Sequence, residues 1–268
     1  MSIITISRGS YSEGREVAER VAERLKYTSI SREVILEAAK DFHTSERELF
    51  HAVHDAPSLF DRLTFEREKN LAHLLSAFYD TLNKDNVVYH GLAGHFFVRH
   101  VPHVLKVRII ADMEDRIRKK MQADSIPRKD AVNRLKRDDE ERKEWSLKLY
   151  GVDTTDPSLY DMTLHIRKLT LDNAVDIICR TIQLEQFRTT QQSRKLMDDL
   201  ALAAKVKAKI VEKYPKSEVT ANGETVIIHA RVSGSMEPKV MEDLQCLARE
   251  VGGVKDVKIH VTPITLFE

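Results

Sequence analysis

The run Ile3-Ile4-Thr5-Ile6 and the stretch Ser7-Arg8-Gly9-Ser10-Tyr11-Ser12-Glu13-Gly14-Arg15-Glu16 behind it constrain this chain more than anything else in it. Four β-branched residues in a row read as a buried strand. From Val17 onward, apolar positions 17, 18, 21, 22 and 25 recur with helical spacing. A strand, a glycine loop and a helix in that order bring loop amides and a helix N-terminus to one point, which suits a phosphate group. Gly9 and Gly14 have four residues between them, as in the phosphate-loop pattern G-x-x-x-x-G-K-[ST]. Arg15 and Glu16 replace the lysine and the hydroxyl residue that close the pattern. Arg15 keeps the positive charge and can grip phosphate oxygens through two nitrogens, which makes it a catalytic candidate. Glu16 offers a carboxylate oxygen to magnesium. The candidate phosphate-binding set is therefore Arg8, Gly9, Ser10, Tyr11, Ser12, Glu13, Gly14, Arg15 and Glu16, with Glu16 as the metal ligand. The alternative is a strand-to-helix turn that merely requires two glycines.

Downstream, Tyr27–Ser31 reads as a short second strand, and Arg32–Asp41 as a helix with Val34, Ile35, Ala38 and Ala39 on one face. Thr44-Ser45-Glu46-Arg47-Glu48 resembles a capping box, and Asp55-Ala56-Pro57 breaks the helix that follows. Phe65–Leu82 is long and amphipathic. Asn86–Gly91, Val104–Ala111 and Asp161–Ile166 are further strands, with Val104–Ala111 the clearest central one, and Thr170–Leu184 is a closing helix. Strands separated by helices predict an α/β fold with a mostly parallel, helix-covered sheet. Ligands bind such sheets beyond the carboxyl ends of the strands, where the glycine loop lies.

Between the strand Val104–Ala111 and the turn-rich loop Tyr150–Pro157, two helices divided by Pro127 carry Arg116, Arg118, Lys119, Lys120, Arg128, Arg134, Lys136, Arg137 and Arg142. Asp138, Asp139, Glu140 and Glu141 offset part of that charge. The segment reads either as a solvated helical pair or as a basic hairpin that closes over phosphates.

Charge over the whole chain is nearly balanced, with a formal net of +1 over 268 residues, so no global field recruits nucleic acid or an anionic membrane. Any anion site must be local. Two cysteines, Cys179 and Cys246, sit within apolar helical patterns and read as small core residues. With no long apolar run and no leader-like start, the expected location is cytoplasmic.

Composition shifts over 185–199, a polar stretch expected to link a domain at 1–184 to another at 200–268. The second domain reads as helix Leu200–Tyr214, strand Ser217–Ala221, an Asn222-Gly223 hairpin turn, strand Glu224–Val232, helix Pro238–Val251 and strand Val254–Thr262. The order is α-β-β-α-β.

Residues 3–178 resemble the cytidylate kinase-like branch of the P-loop nucleoside monophosphate kinases. The resemblance is carried by Ile4-Thr5-Ile6-Ser7-Arg8, Gly14-Arg15-Glu16, Ser31-Arg32-Glu33-Val34-Ile35, Val104–Met121 and Asp156-Pro157-Ser158-Leu159-Tyr160-Asp161. It implies transfer of the γ-phosphoryl group of ATP, with Mg²⁺, to a nucleoside monophosphate such as CMP or dCMP. It also implies that Arg15 bridges the donor phosphates and that Arg134, Arg137 and Arg142 are the lid arginines. The family's Gly-Arg-Asp after the third strand is here Gly91-Leu92-Ala93-Gly94, so the acceptor side departs from the pattern, and His90 and His95 are the nearby polar residues. Residues 200–268 resemble a BON domain, which implies peripheral membrane contact or self-association. The alternative function is a nucleotide-binding regulator that signals through its C-terminal domain.

Overall fold

A computed structural model describes residues 2–31, 33–34, 62–91, 94–232 and 237–263. The helix expected over Arg32–Asp41, the capping box at Thr44–Glu48, the break at Asp55–Pro57 and the pair Leu92-Ala93 lie largely or wholly outside the described residues. The chain divides into two compact units. Among the described residues the first takes in 2–34 and 84–190, and the second 62–83 and 191–263.

In the first unit, strands β1 (Ile3–Arg8), β2 (Thr28–Ser31), β3 (Val87–His90), β4 (Val104–Ala111) and β5 (Met162–Ile166) form a parallel sheet in the order β2-β3-β1-β4-β5. β1 pairs with β3 from Ile3↔Val87 and with β4 from Ile3↔Val104. Chain direction thus switches sides around β1, which opens a crevice at the carboxyl ends of β1, β3 and β4.

Helix α1 (Gly14–Leu25) packs Val17, Ala18, Val21 and Ala22 onto one face of this sheet, against Ile4, Ile6, Val88, Leu105, Val107 and Ile109. Helix α6 (Leu171–Thr181) adds Ala174, Val175, Ile178 and Cys179 to the same core. Its start is fixed by a capping box in which Thr170 Oγ1 accepts from Asn173 N, and Asn173 Oδ1 accepts from Thr170 N. Arg20–Asp172 and Arg24–Asp176 ion pairs join α1 to α6. Thr5, Ser7, Lys106 and Arg108, which alternate with the core residues along β1 and β4, leave the sheet on its other face. A short helix α3 (Gly94–Phe97) follows β3. The charged segment is a hairpin of α4 (Met113–Asp124) and α5 (Arg128–Tyr150), with a small core of Ile117, Ala131 and Leu135. Gly151, at φ 66°, ends α5 by donating its amide to Leu147 O at 3.0 Å.

The second unit holds α2 (Arg62–Leu82), α7 (Gln191–Ile210), a three-stranded sheet of β6 (Glu218–Asn222), β7 (Thr225–Val232) and β8 (Asp256–Pro263), and α8 (Glu237–Arg249). β6 and β7 are antiparallel across the Asn222-Gly223 turn, while β7 and β8 run parallel. Its core joins Val206 and Ile210 of α7 to Val226, Ile228 and Ala230 of β7, and to Val240, Leu244 and Ala248 of α8.

Three features differ from the sequence reading. The helix expected from Leu200 begins at Gln191, because Ser193, Met197, Ala201 and Ala204 continue its buried stripe back through the polar stretch. The stretch 185–199 is thus a short 3-10 turn, Glu185–Phe187, and the first half of α7. Helix α2 groups with the second unit and packs along α7, where Asp80 pairs with Lys205 and Lys69 with Glu212. Cys179 is buried as expected, but Cys246 is exposed. The inward stripe of α8 is Val240, Leu244 and Ala248, and position 246 falls between its turns. No helix among the described residues is long and apolar enough to cross a membrane.

Candidate active site

The loop from β1 to α1 places Tyr11 and Glu13 in the left-handed region, at φ 59° and 67°. Such conformations cost a non-glycine residue on the order of 1 kcal/mol or more. Left-handed residues alternating with others form the concave array of amides that binds anions, and the first-turn amides of α1 add to it. Gly14 has a steric task. A Cβ there would lie 2.6 Å from Arg8 Cβ and 2.8 Å from Arg8 Cδ, so only glycine lets the helix begin beside the end of β1.

Side chains hold this strained loop in place. Ser12 Oγ lies 2.9 Å from Gly9 O and 3.2 Å from Ile109 O, which ties the loop to β4. Tyr11 packs on the small hairpin core and donates its hydroxyl to Asp124 Oδ1 at 2.7 Å, with Lys120 Nζ 4.7 Å from its ring centre. That bond raises the Tyr11 hydroxyl to about 12 and lowers the Asp124 carboxyl. Glu13 pairs with Lys119 of α4.

Ser10 is the junction between loop and hairpin. Its carbonyl accepts from Arg116 Nε at 2.8 Å, and its hydroxyl accepts from Arg142 Nη2 at 2.8 Å. The same hydroxyl donates to Asp138 Oδ2 at 3.3 Å. Arg116 in turn holds Asp139 through both terminal nitrogens, each bond 2.8 Å long.

Beside this junction lies a cavity of about 380 Å³, bordered by Ser7, Arg8, Gly9 and Ser12 and by the ends of β3 and β4. Arg8, Arg108, Arg116 and Arg142 line it, against the carboxylates of Asp139 and Glu33. The balance is cationic, in a partly dehydrated space where charge acts strongly. His90 and His95, also on its wall, add no charge. Burial, then the neighbouring Arg108 and Lys106, push His95 down to about 3, and burial with Arg8 nearby lowers His90. Next to the lining residues Thr154, Ser7 and His95, Tyr160 Oη sits 3.0 Å from Thr154 O and 3.3 Å from both Ser7 Oγ and His95 Nε2. Arg108 Nη1 donates to Thr154 O at 2.8 Å.

The residues expected from sequence are distributed unevenly around this cavity. Arg8, Gly9 and Ser12 line it, and Ser10 anchors its hairpin wall. Arg15 lies on the surface of α1 with 70% of its side chain exposed, and its Nε donates to Glu19 at 2.8 Å. Glu16 accepts from Arg20 at 2.6 Å. With Tyr11 and Glu13 these two border a second, shallower depression that also takes in Lys119. Arg137 points along α5 toward Glu141 at 3.6 Å, and Arg134 stands 3.8 Å from Asp124. Of the three arginines expected in a lid, it is Arg142 that reaches the loop.

In the sequence Arg116 and Asp139 are undistinguished within the charged run, and Arg108 and Tyr160 within the stretches that carry the resemblance, so none of the four is an expected site residue. Arg116 and Lys120 share a helix face with each other and flank Ile117 and Met121, so the apolar neighbours mark which cations of the run turn inward. No group of three or more His, Cys, Asp or Glu side chains among the described residues converges as a metal site. The arginines that line the cavity, with the loop amides beside them, fit a polyphosphate anion. A magnesium ion here would take its oxygens mainly from phosphate and water, as it commonly does.

Two known proteins are similar to this chain, one in sequence and one in fold. A cytidylate kinase of Archaeoglobus fulgidus is 29% identical over 195 residues, which is 70% of this chain and 99% of that one. A crystal structure of an uncharacterized protein from Eubacterium ventriosum matches 68% of this chain and 98% of that one, with a TM-score of 0.52 at 22% identity. The model of the cytidylate kinase-like family matches residues 3–168, which hold the whole parallel sheet, the loop and the hairpin. The chain therefore belongs to the cytidylate kinase-like family.

Proposed function

We propose that this chain transfers the γ-phosphoryl group of ATP to a nucleoside monophosphate, with CMP or dCMP as the first candidates. The observation that carries the reading is the junction at Ser10, where Arg116 and Arg142 meet the amide-lined loop at the edge of a cationic cavity. Phosphoryl transfer asks a protein mostly for positioning and for charge neutralisation around the moving group. Arg116 and Arg142 supply that charge, and the loop amides from Gly9 to Gly14 orient the donor phosphates. Arg142 acts on the transferred group, because it comes from the hairpin, reaches the loop at Ser10 and lines the cavity.

Magnesium supplies charge neutralisation when bound with ATP. Glu16, the expected ligand, faces Arg20, and Arg15 faces Glu19. Each would exchange its surface partner for the ligand in order to act, and such exposed pairs hold only weakly. The similarity to a named cytidylate kinase supports the choice of CMP.

The phosphotransfer function lies in the first unit, and the second unit is a BON-like accessory domain. The α-β-β-α-β order of α7, β6, β7, α8 and β8 supports that assignment, with membrane contact or self-association as its role. The competing reading, a regulator that binds nucleotide without turnover, draws on the uncharged Gly91-Leu92-Ala93-Gly94 segment. A steady-state assay with ATP, Mg²⁺ and each of CMP, dCMP, UMP and AMP, beside a separate ATP titration, tests the proposal. Product from at least one acceptor is expected. ATP binding with no product from any would favour the regulator.

A further inference from the structure

Phosphoryl transfer requires two anions side by side, and the loop serves one of them. The same cavity is also lined by Arg108, His95 and Thr154. Ser7 and Arg108 are paired in register on β1 and β4, so their side chains leave the sheet together on the face opposite α1. The Arg108 guanidinium lies over the Tyr160 ring, 5.6 Å from its centre, and one N–H is held by Thr154 O. Stacking and that single bond fix the plane of the group and leave its other donors for a ligand.

The hydrogen bonds beneath it have a defined sense. Thr154 O can only accept, so the Tyr160 proton goes to it over the 3.0 Å contact. Nε2 of His95, 3.3 Å from Tyr160 Oη, then carries its ring hydrogen toward that oxygen. His95 braces Tyr160 as a neutral ring, since burial beside Arg108 and Lys106 disfavours its protonation.

Charge pairing separates Arg108 from its neighbours. Arg116 is matched by Asp139, and Lys106 by Asp161 at 3.2 Å. Arg108 has no ion pair among the described residues, although it lines the cavity. A stacked guanidinium without a carboxylate, in a cavity already facing a phosphate loop, matches a phosphomonoester.

We infer that Arg108, held flat by Tyr160 and Thr154 and braced by His95, binds the phosphate of the acceptor nucleotide. The inference rests on the phosphotransfer reading above and assigns its acceptor half to residues outside the segment that follows β3.

Calorimetric titration of ATP, CMP, UMP and AMP into the full chain and into Arg108→Gln tests it. Affinity for the nucleoside monophosphate that binds the wild-type chain best should fall about tenfold or more, the scale of a lost charge-assisted contact, while ATP affinity stays within about twofold. Arg108→Lys provides a second measurement if the glutamine variant does not fold. It keeps the charge and loses the planar fork, and it should raise the acceptor KM at least about threefold with the ATP KM unmoved. Acceptor affinity unchanged in a folded Arg108 variant overturns the assignment and leaves the donor site standing. A wild-type chain that binds ATP but none of the three monophosphates does the same. A wild-type chain that does not bind ATP overturns the phosphotransfer reading, and the assignment with it.

Discussion

Arg116 grips Asp139 with two parallel hydrogen bonds of 2.8 Å while its third nitrogen holds Ser10 O at 2.8 Å. One guanidinium thus fastens the loop between β1 and α1 to the second hairpin helix. The hairpin is no detached basic arm in this conformation, because loop, α4 and α5 share this fork and the Tyr11 contact.

Replacing Arg116 by lysine keeps the charge but cannot reproduce the fork. Asp139 is partly exposed, which places the loss at the low end for such bonds, about 1 to 2 kcal/mol of folding stability. Chemical denaturation should show that loss, and ATP affinity should fall at least about fivefold. Unchanged stability and unchanged ATP binding would mean that the fork is incidental.

Gly14→Ala would set a methyl group within 2.6 Å of Arg8 Cβ. Backbone has to shift to relieve that clash, at about 1 to 3 kcal/mol. The loop amides would move with it, so ATP binding should weaken even where the protein remains folded. A Gly14→Ala protein with wild-type ATP affinity would show that the start of α1 does not shape the donor site.

His95 makes the first unit sensitive to acid. Its folded-state value, about 3, lies below the ordinary 6.5, so between these values the unfolded chain binds the extra proton. Stability is then full above about pH 6.5 and declines as pH falls toward 3, by about 2 kcal/mol at pH 5. Buried His90 and His73 are shifted in the same direction. Comparing His95→Gln with wild type isolates one of the three. The wild-type chain should lose more stability than the variant between pH 7.5 and 5. Parallel losses would show that His95 is not held neutral by burial.

The second unit owns α2, and truncation should reveal it. A chain ending at Thr190 lacks α7, along which α2 packs, and uncovers a helix whose Leu74, Ala77 and Phe78 are buried in the complete protein. Such a chain should bind a hydrophobic dye or aggregate. A soluble product with cooperative unfolding would show that α2 needs no partner from the second unit.

Much of this fold was legible because local signals agreed. The β4 strand is Val104–Ala111, as its apolar run predicts, Pro127 divides the hairpin, and Asn222-Gly223 turns β6 into β7. Partner choice was less legible. The apolar stripe of α2 fits a sheet or another helix equally, and the alanines of α7 decide only once the two are side by side. The loop could be read from Gly9 and Gly14, whose spacing is chemical. Its cations could not, because Arg15 fits the motif by position yet turns to Glu19, whereas Arg116 lies more than a hundred residues away and is brought in by the pairing of β1 with β4. Arg137 and Arg142 differ by direction around one helix, which charge alone does not specify.

The central claim is that this site moves a phosphoryl group between nucleotides. A single-turnover reaction with γ-labelled ATP, Mg²⁺ and CMP, quenched and resolved into products, measures that directly. The account predicts label in a nucleoside diphosphate, formed at least about tenfold more slowly by Arg142→Ala and near the wild-type rate by Arg137→Ala. Label that stays in ATP or appears only as inorganic phosphate, with CMP and with each other nucleoside monophosphate tried, would contradict it.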